Sequence, residues 1–219
     1  MEVYYLWSFK PGETQADPPM ENIIRNTMYF PSYLIIRGTS EHEIMPYVNQ
    51  FNKLRQLWDK IPHWVVKADV ARYLVIYFHG GFYFDVDCEI RLPIQLKPDK
   101  RVAVFVEKVI RDLNRLGPRE LKSEARKTRI ANYAFGAKEK RDPFIRELIE
   151  ESIQRISRFL AESPSRTTER DIVWLAGPDV VTSVYHRTSD KSRIQLFPES
   201  TLEHYEFGSW RDTNNHHKK

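Results

Sequence analysis

Cysteine is almost missing from this chain of 219 residues, where Cys88 stands alone. A single thiol excludes an intramolecular disulfide and any zinc cluster built on cysteines, and it fits a reducing compartment. Long apolar runs are missing as well: none comes near the ~20 residues that span a bilayer, and no basic-then-apolar leader opens the chain. These absences lead us to expect a soluble protein without a membrane span. Its expected place is the cytoplasm, and it is compatible with being a piece of a longer multidomain chain. Internal repeats and low-complexity segments are also absent, which sets aside solenoid and disordered architectures.

What is present is the composition of an ordinary globular domain, with 41% hydrophobic and 29% charged residues. The length suits one domain with a genuine core, expected over residues 1–213, with 214–219 as a flexible polar tail. Net charge of +4 and a pI near 9.0 favour anionic partners such as nucleoside diphosphates. The basic excess gathers between Arg111 and Arg129, as a solvated face or as a flap toward phosphate or acceptor. A non-enzymatic nucleic-acid binder is the alternative for such a run. No nucleic-acid motif accompanies it, however, and no aromatics interleave with it as a stacking platform requires.

The order of elements points to an α/β fold. Val3–Trp7 reads as a buried strand ending at Lys10-Pro11-Gly12. Residues 20–30 have helical spacing at Ile23, Ile24, Thr27 and Met28, and Tyr33–Arg37 is a second strand, so a parallel sheet begins here. One helix is expected over 41–58 and another over 67–78, closing at Gly80-Gly81. Strands follow over 82–87, 102–106 and 130–135. Asp142-Pro143 opens a long helix, 163–170 reads as a polar linker, and Gly177-Pro178 leads into a short helix. Ile194–Phe197 is the last strand expected. His63, His79 and His186 lack any motif and read as packing or surface residues.

Chemistry concentrates where the strand over 82–87 ends. Asp85 and Asp87 are two apart, so both carboxylates leave one face of an extended chain. They lie at the carboxyl end of a strand, where open α/β sheets bind their ligands. Two carboxylates this close repel unless a cation joins them, and hard oxygen ligands select Mn²⁺ or Mg²⁺. Asp69 and Arg72 are three apart on the preceding helix, hence neighbours on one face among apolar residues. A buried ion pair kept only for stability gains little, so the pair is a candidate for function, with a strut between helix and sheet as the structural alternative.

The string from Lys67 through Ala68-Asp69-Val70-Ala71-Arg72-Tyr73 and Gly80-Gly81 to Tyr83-Phe84-Asp85-Val86-Asp87 resembles the glycosyltransferase family with a DXD-containing sugar-binding region. That family includes fungal initiating mannosyltransferases, the glucosylating domains of large clostridial toxins, and capsule and large-DNA-virus enzymes. The resemblance implies a single GT-A domain with a mixed, mainly parallel sheet between helices. It also implies Mn²⁺ or Mg²⁺ and a nucleotide-sugar donor whose sugar passes, with retention, to a glycan or protein acceptor. A UDP-sugar is expected over a GDP-sugar. Asp69 and Arg72 are implied to contact the donor sugar or diphosphate, Tyr83 to lie near the nucleotide, and Asp85 and Asp87 to hold sugar, ribose and metal. Trp7 matches the position that stacks on the base, and Asn132 a polar position near the sugar. Toward the C-terminus, His204 is the expected third metal ligand, with Glu206 as its alternative and Ser209 and Trp210 on the phosphates. The chain reads His204-Tyr205-Glu206-Phe207, so the paired histidines and first tryptophan of some relatives are missing. Gly177-Pro178 matches a turn on the acceptor side. A nucleotidyltransferase or sugar-nucleotide hydrolase on the same fold is the nearest alternative reaction.

Overall fold

The computed structural model describes residues 1–7, 17–37, 41–112, 128–163 and 165–205, with Glu41 and His42 described by backbone alone. Most of the basic run, the polar tail, and Glu206, Ser209 and Trp210 lie outside these residues. In chain order the elements are β1 (Val3–Trp7), α1 (Met20–Asn26), β2 (Tyr33–Arg37), α2 (Glu41–Val48), α3 (Asn52–Trp58), α4 (Trp64–His79), β3 (Gly81–Phe84), β4 (Cys88–Ile90) and β5 (Val102–Val109). They continue with β6 (Thr128–Ala137), α5 (Pro143–Glu162), α6 (Glu169–Leu175), α7 (Pro178–Arg187), β7 (Ile194–Phe197) and β8 (Leu202–His204).

Strand β1 shows why the sheet is covered on both faces. Side chains alternate along a strand, and both sets here are apolar: Tyr4 and Leu6 enter one core, Val3 and Tyr5 the other. The first core lies against α2 to α7; the second lies against α1 and the short β4–β8 pair. Six strands form the main sheet in the order β2-β1-β3-β6-β5-β7. The β1–β2, β1–β3 and β5–β7 pairings are parallel, while β6 runs antiparallel to β3 and β5. This is the mixed, mainly parallel GT-A arrangement.

Helix α4 is the centre of the first core, with Val65, Val66 and Ala68 through Tyr77 all buried. His63 caps its start by accepting from the Val65 N–H at 3.2 Å. Its exit uses two positive φ angles, 69° at Gly80 and 85° at Gly81, which side chains other than glycine resist. Space forbids a side chain there too, because a Cβ on Gly81 would come within 2.4 Å of the Glu2 carbonyl. The close approach of β1 to β3 therefore depends on Gly81.

Several expectations needed correction. The single helix over 41–58 is two, α2 and α3, separated by a turn at Asn49 and Gln50. α1 stops at Asn26, and its inner face is Asn22, Ile23 and Asn26, with Ile24 and Met28 exposed. Part of the expected linker is the cap of α6, where Thr168 and Asp171 form a reciprocal capping box. β7 is not the last strand, since β8 pairs with β4. Asp85 and Asp87 do not share a strand face: β3 ends at Phe84, and Asp85-Val86-Asp87 forms a turn closed by the Cys88 N–H on the Asp85 carbonyl at 3.0 Å.

Candidate active site

Parallel pairing puts the carboxyl ends of β1 and β3 at one edge of the sheet. Val3 pairs with Phe82 and Tyr4 with Tyr83, so the half-buried Trp7 at the end of β1 comes level with the turn that holds Asp85 and Asp87. The first part of β6 reaches the same edge, and the Asp85 N–H donates to the Tyr133 carbonyl at 2.8 Å. Opposite the turn, β8 pairs Cys88 with His204, and the Tyr205 N–H donates to the Asp87 carbonyl at 3.0 Å.

These constraints converge on three side chains. Asp85, Asp87 and His204 each offer one ligand atom, and the three atoms lie within 4.8 Å of one another. His204 Nε2 is 3.2 Å from Asp87 Oδ1. Its ring is held by Tyr133, stacked with centroids 4.0 Å apart and planes inclined by 20°. The side chains of Asp85 and His204 remain 23% and 22% exposed, so a ligand can reach them. Two carboxylate oxygens and an imidazole nitrogen form a donor set that suits Mn²⁺, and also Mg²⁺ with more of its shell from water and phosphate.

Below the turn lies a second layer of charge. The Arg72 guanidinium is 3.0 Å from Asp69 Oδ1 and 3.0 Å from Asp85 Oδ1, and Nη1 donates to the Asn132 carbonyl at 3.1 Å. The Asn132 amide donates to Asp69 Oδ1 at 3.0 Å. Tyr83, 1% exposed, carries the guanidinium 4.9 Å above its ring and donates its hydroxyl to Asp85. The buried Nε of Arg72 has no partner among the described residues.

Electrostatics follow from one cation serving several anions. Burial alone would lower Arg72, but Asp85, Tyr83 and Asp69 more than offset this and hold it above its ordinary value. It is therefore a permanent cation. Burial pushes Asp69 up to about 7; Arg72 and Asn132 pull it down, and Asp85 adds to the rise. Burial also raises Asp85, against Arg72 and with the help of Asp87. Arg72 faces Asp69 and Asp85, while Asp87 lies on the other side of Asp85 and adds to its rise. A divalent cation between Asp85, Asp87 and His204 would relieve the repulsion between the two carboxylates.

The structure thus brings Asp69, Arg72, Tyr83, Asp85, Asp87, Asn132 and His204 together and sets Trp7 at the same edge. Gly177-Pro178 begins α7, with Pro178 in its first turn. The Tyr73 hydroxyl donates to the preceding Ala176 carbonyl at 2.6 Å, tying that turn to the helix of Asp69 and Arg72. His63 is the cap of α4, His79 shares a hydrogen bond of 2.7 Å with Tyr47, and His186 lies 2.9 Å from the Thr128 carbonyl. Arg129, from the end of the basic run, pairs with Glu107 at 3.1 Å and Asp179 at 3.5 Å. Reading the sequence alone overlooked Tyr133, because an aromatic residue on a strand carries no mark that separates a support for a ligand from ordinary core.

Similarity to known proteins bears on this geometry. Residues 20–103 match the family described as glycosyltransferase sugar-binding region containing DXD motif. Among solved structures, the PaToxG glycosyltransferase superposes with a TM-score of 0.56 at 16% identity, over 85% of this chain and 68% of that one. This likeness speaks to the fold. A second, a mutant of a transferase, covers 92% of this chain and 93% of its own at 12% identity, with a TM-score of 0.41, too distant to carry an argument. No curated protein matches the chain. The matched segment runs through Asp69, Arg72, Tyr83, Asp85 and Asp87, and the fold around it is that of a glycosyltransferase. Residues 20–103 are therefore similar to a DXD-containing sugar-binding region of glycosyltransferases, set in a fold like that of the PaToxG glycosyltransferase, and the chain that carries them is an enzyme of transferase type.

Proposed function

We propose that the chain is a metal-dependent glycosyltransferase that uses a UDP-sugar and transfers the sugar with retention to a hydroxyl of a glycan or protein. The observation that carries the metal dependence is the cluster of Asp85, Asp87 and His204, three ligand atoms within 4.8 Å of one another. A bound Mn²⁺ or Mg²⁺ would accept the charge that develops on the departing diphosphate. Retention and the preference for UDP rest on the resemblance, and a uracil ring fits a stacking position at Trp7. A cytoplasmic setting belongs to the same proposal. It is supported by the lone buried Cys88 and by the lack, among the described residues, of a helix long and apolar enough to cross a membrane.

In this scheme the bond between the anomeric carbon and the phosphate oxygen breaks, and the electron pair leaves with the nucleoside diphosphate. The acceptor hydroxyl forms the new bond to the anomeric carbon and passes its proton to the departing phosphate oxygen. Asp69 and Arg72 orient the hexose through its hydroxyls. Arg72 can do so with little reorganisation, because Asp69, Asp85, the Asn132 carbonyl and the Tyr83 ring already fix its guanidinium. His204 presents Nε2 toward the turn with its ring stacked on Tyr133.

The products decide the reaction class. Incubation with UDP- and GDP-hexoses and Mn²⁺ should release nucleoside diphosphate, and NMR of the transferred sugar should show the donor's anomeric configuration. Release of pyrophosphate instead would indicate nucleotidyl transfer and refute the proposal.

A further inference from the structure

Helix α1 turns a polar face to the protein interior. Asn22 and Asn26 are buried there beside Ile23, while Ile24 and Met28 stand 59% and 85% exposed. Buried amides cost free energy unless they are hydrogen-bonded. Both asparagines find their partners in one place, the chain that follows β3.

The Asn22 amide donates to the Val86 carbonyl at 3.3 Å. Asn26 donates to the Cys88 carbonyl at 2.9 Å and lies 3.1 Å from the Tyr5 hydroxyl, and its Oδ1 accepts from the Ile90 N–H at 2.8 Å. The orientation of the Asn26 amide is forced, since a carbonyl only accepts and a backbone N–H only donates. Four residues apart, the two side chains share one helix face. Together they grip positions 86, 88 and 90, so the gripped carbonyls of Val86 and Cys88 flank Asp87. At the rim, Arg25 of the same helix lies 3.1 Å from Glu89 Oε2, and the Tyr205 hydroxyl donates to that oxygen at 2.6 Å.

We propose that Asn22 and Asn26 are positioning residues for the donor site. They touch neither donor nor metal. They hold the backbone of 86–90, which fixes the direction of Asp87 and, through the β4–β8 pairing, its distance to His204. The inference rests on the reading of Asp85 and Asp87 as the donor-site carboxylates. A single turn between two strands has few bonds of its own, and a small rotation about it would spread the ligand atoms. The tyrosine at the end of the Asn26 bond belongs to β1, so the grip also ties the turn to the strand that presents Trp7.

The test compares Asn26→Asp, which keeps the volume and an acceptor for Ile90 but loses both amide protons, with Asn22→Ala, which removes one bond. Three quantities are measured: turnover of a panel of UDP- and GDP-hexoses with Mn²⁺, amide hydrogen exchange over 86–90 and over α5, and the melting temperature. Outer-shell supports of this kind change metal affinity or activity by about 10–100-fold. We expect Asn26→Asp to lose turnover in that range and Asn22→Ala to lose less, with exchange accelerated over 86–90 and unchanged in α5. Parental turnover in Asn26→Asp, or parental exchange over 86–90, would overturn the proposal. So would loss of protection throughout the chain with turnover lost only in proportion to the unfolded fraction. Failure of the underlying reading looks different: Asp87→Ala would turn over like the parent, while the exchange measurement would still decide whether the asparagines hold the turn.

Discussion

Arg72 Nη1 lies 3.0 Å from Asp85 Oδ1, which joins the buried centre of α4 to the turn that carries the acidic pair. The arginine side chain is 9% exposed and its partner Asp85 23%, so the contact is buried on the side of α4. Removing the guanidinium would leave Asp69 and Asp85 facing each other in the interior without a cation. Breaking a buried pair by deleting one partner costs about 3–5 kcal/mol. We expect Arg72→Leu to lose stability in that range by urea unfolding and to lose turnover. Arg72→Lys should keep most of the stability yet not the activity, because an ammonium cannot reproduce the planar fork. Parental activity in Arg72→Lys would contradict a role in orienting the donor.

Asp69 gives the metal-free protein a pH dependence of definite sign. Its folded value, about 7, lies above its ordinary 3.8. Between those two values the folded chain holds a proton that the unfolded chain has released, so stability falls as pH rises through the window and levels off above it. Urea unfolding in EDTA at several values between pH 4 and 7.5 measures this fall, on the order of 1–4 kcal/mol for a shift of this size. In Asp69→Asn the fall should be smaller by that amount. Identical profiles for the two proteins would contradict the burial argument.

The ring of His204, the proposed third ligand, is held by its stacking on Tyr133. His204→Ala should weaken Mn²⁺ binding, and Tyr133→Leu should weaken it by about 10-fold through loss of ring orientation. Tyr133→Phe keeps the ring and should bind as the parent does. Manganese titration followed by electron paramagnetic resonance reads all three. Equal affinity in parent and His204→Ala would pass the third position to another group, with Glu206 the first to try.

The sheet was legible because its strands announce themselves. Val3–Trp7, Tyr33–Arg37 and Ile194–Phe197 are short apolar runs with clear stops, and their bounds agree with the structure. Asp69, Arg72, Asp85 and Asp87 were legible because ionisable groups at helix spacing and at a strand end contradict the apolar run around them. The split between α2 and α3 was not legible, since Ile44, Val48, Leu54 and Trp58 keep one apolar face across the interruption. β4 and β8 are three-residue strands and fall below any periodic signal. The polar inner face of α1 was not legible, because Ile23, Ile24, Thr27 and Met28 matched the helical spacing and nothing local marks Asn22 and Asn26 as buried. Their burial follows from bonds to a segment more than sixty positions away, which local pattern cannot show.

The central claim is that Asp85 and Asp87 hold a divalent cation against a nucleoside diphosphate. Isothermal titration of UDP into the protein, with and without Mn²⁺, tests it directly, using Asp87→Ala as the partner protein. The account predicts binding that requires Mn²⁺ in the parent and is lost in folded Asp87→Ala. Equal UDP affinity with and without Mn²⁺ in the parent, or undiminished Mn²⁺-dependent binding in Asp87→Ala, would contradict it.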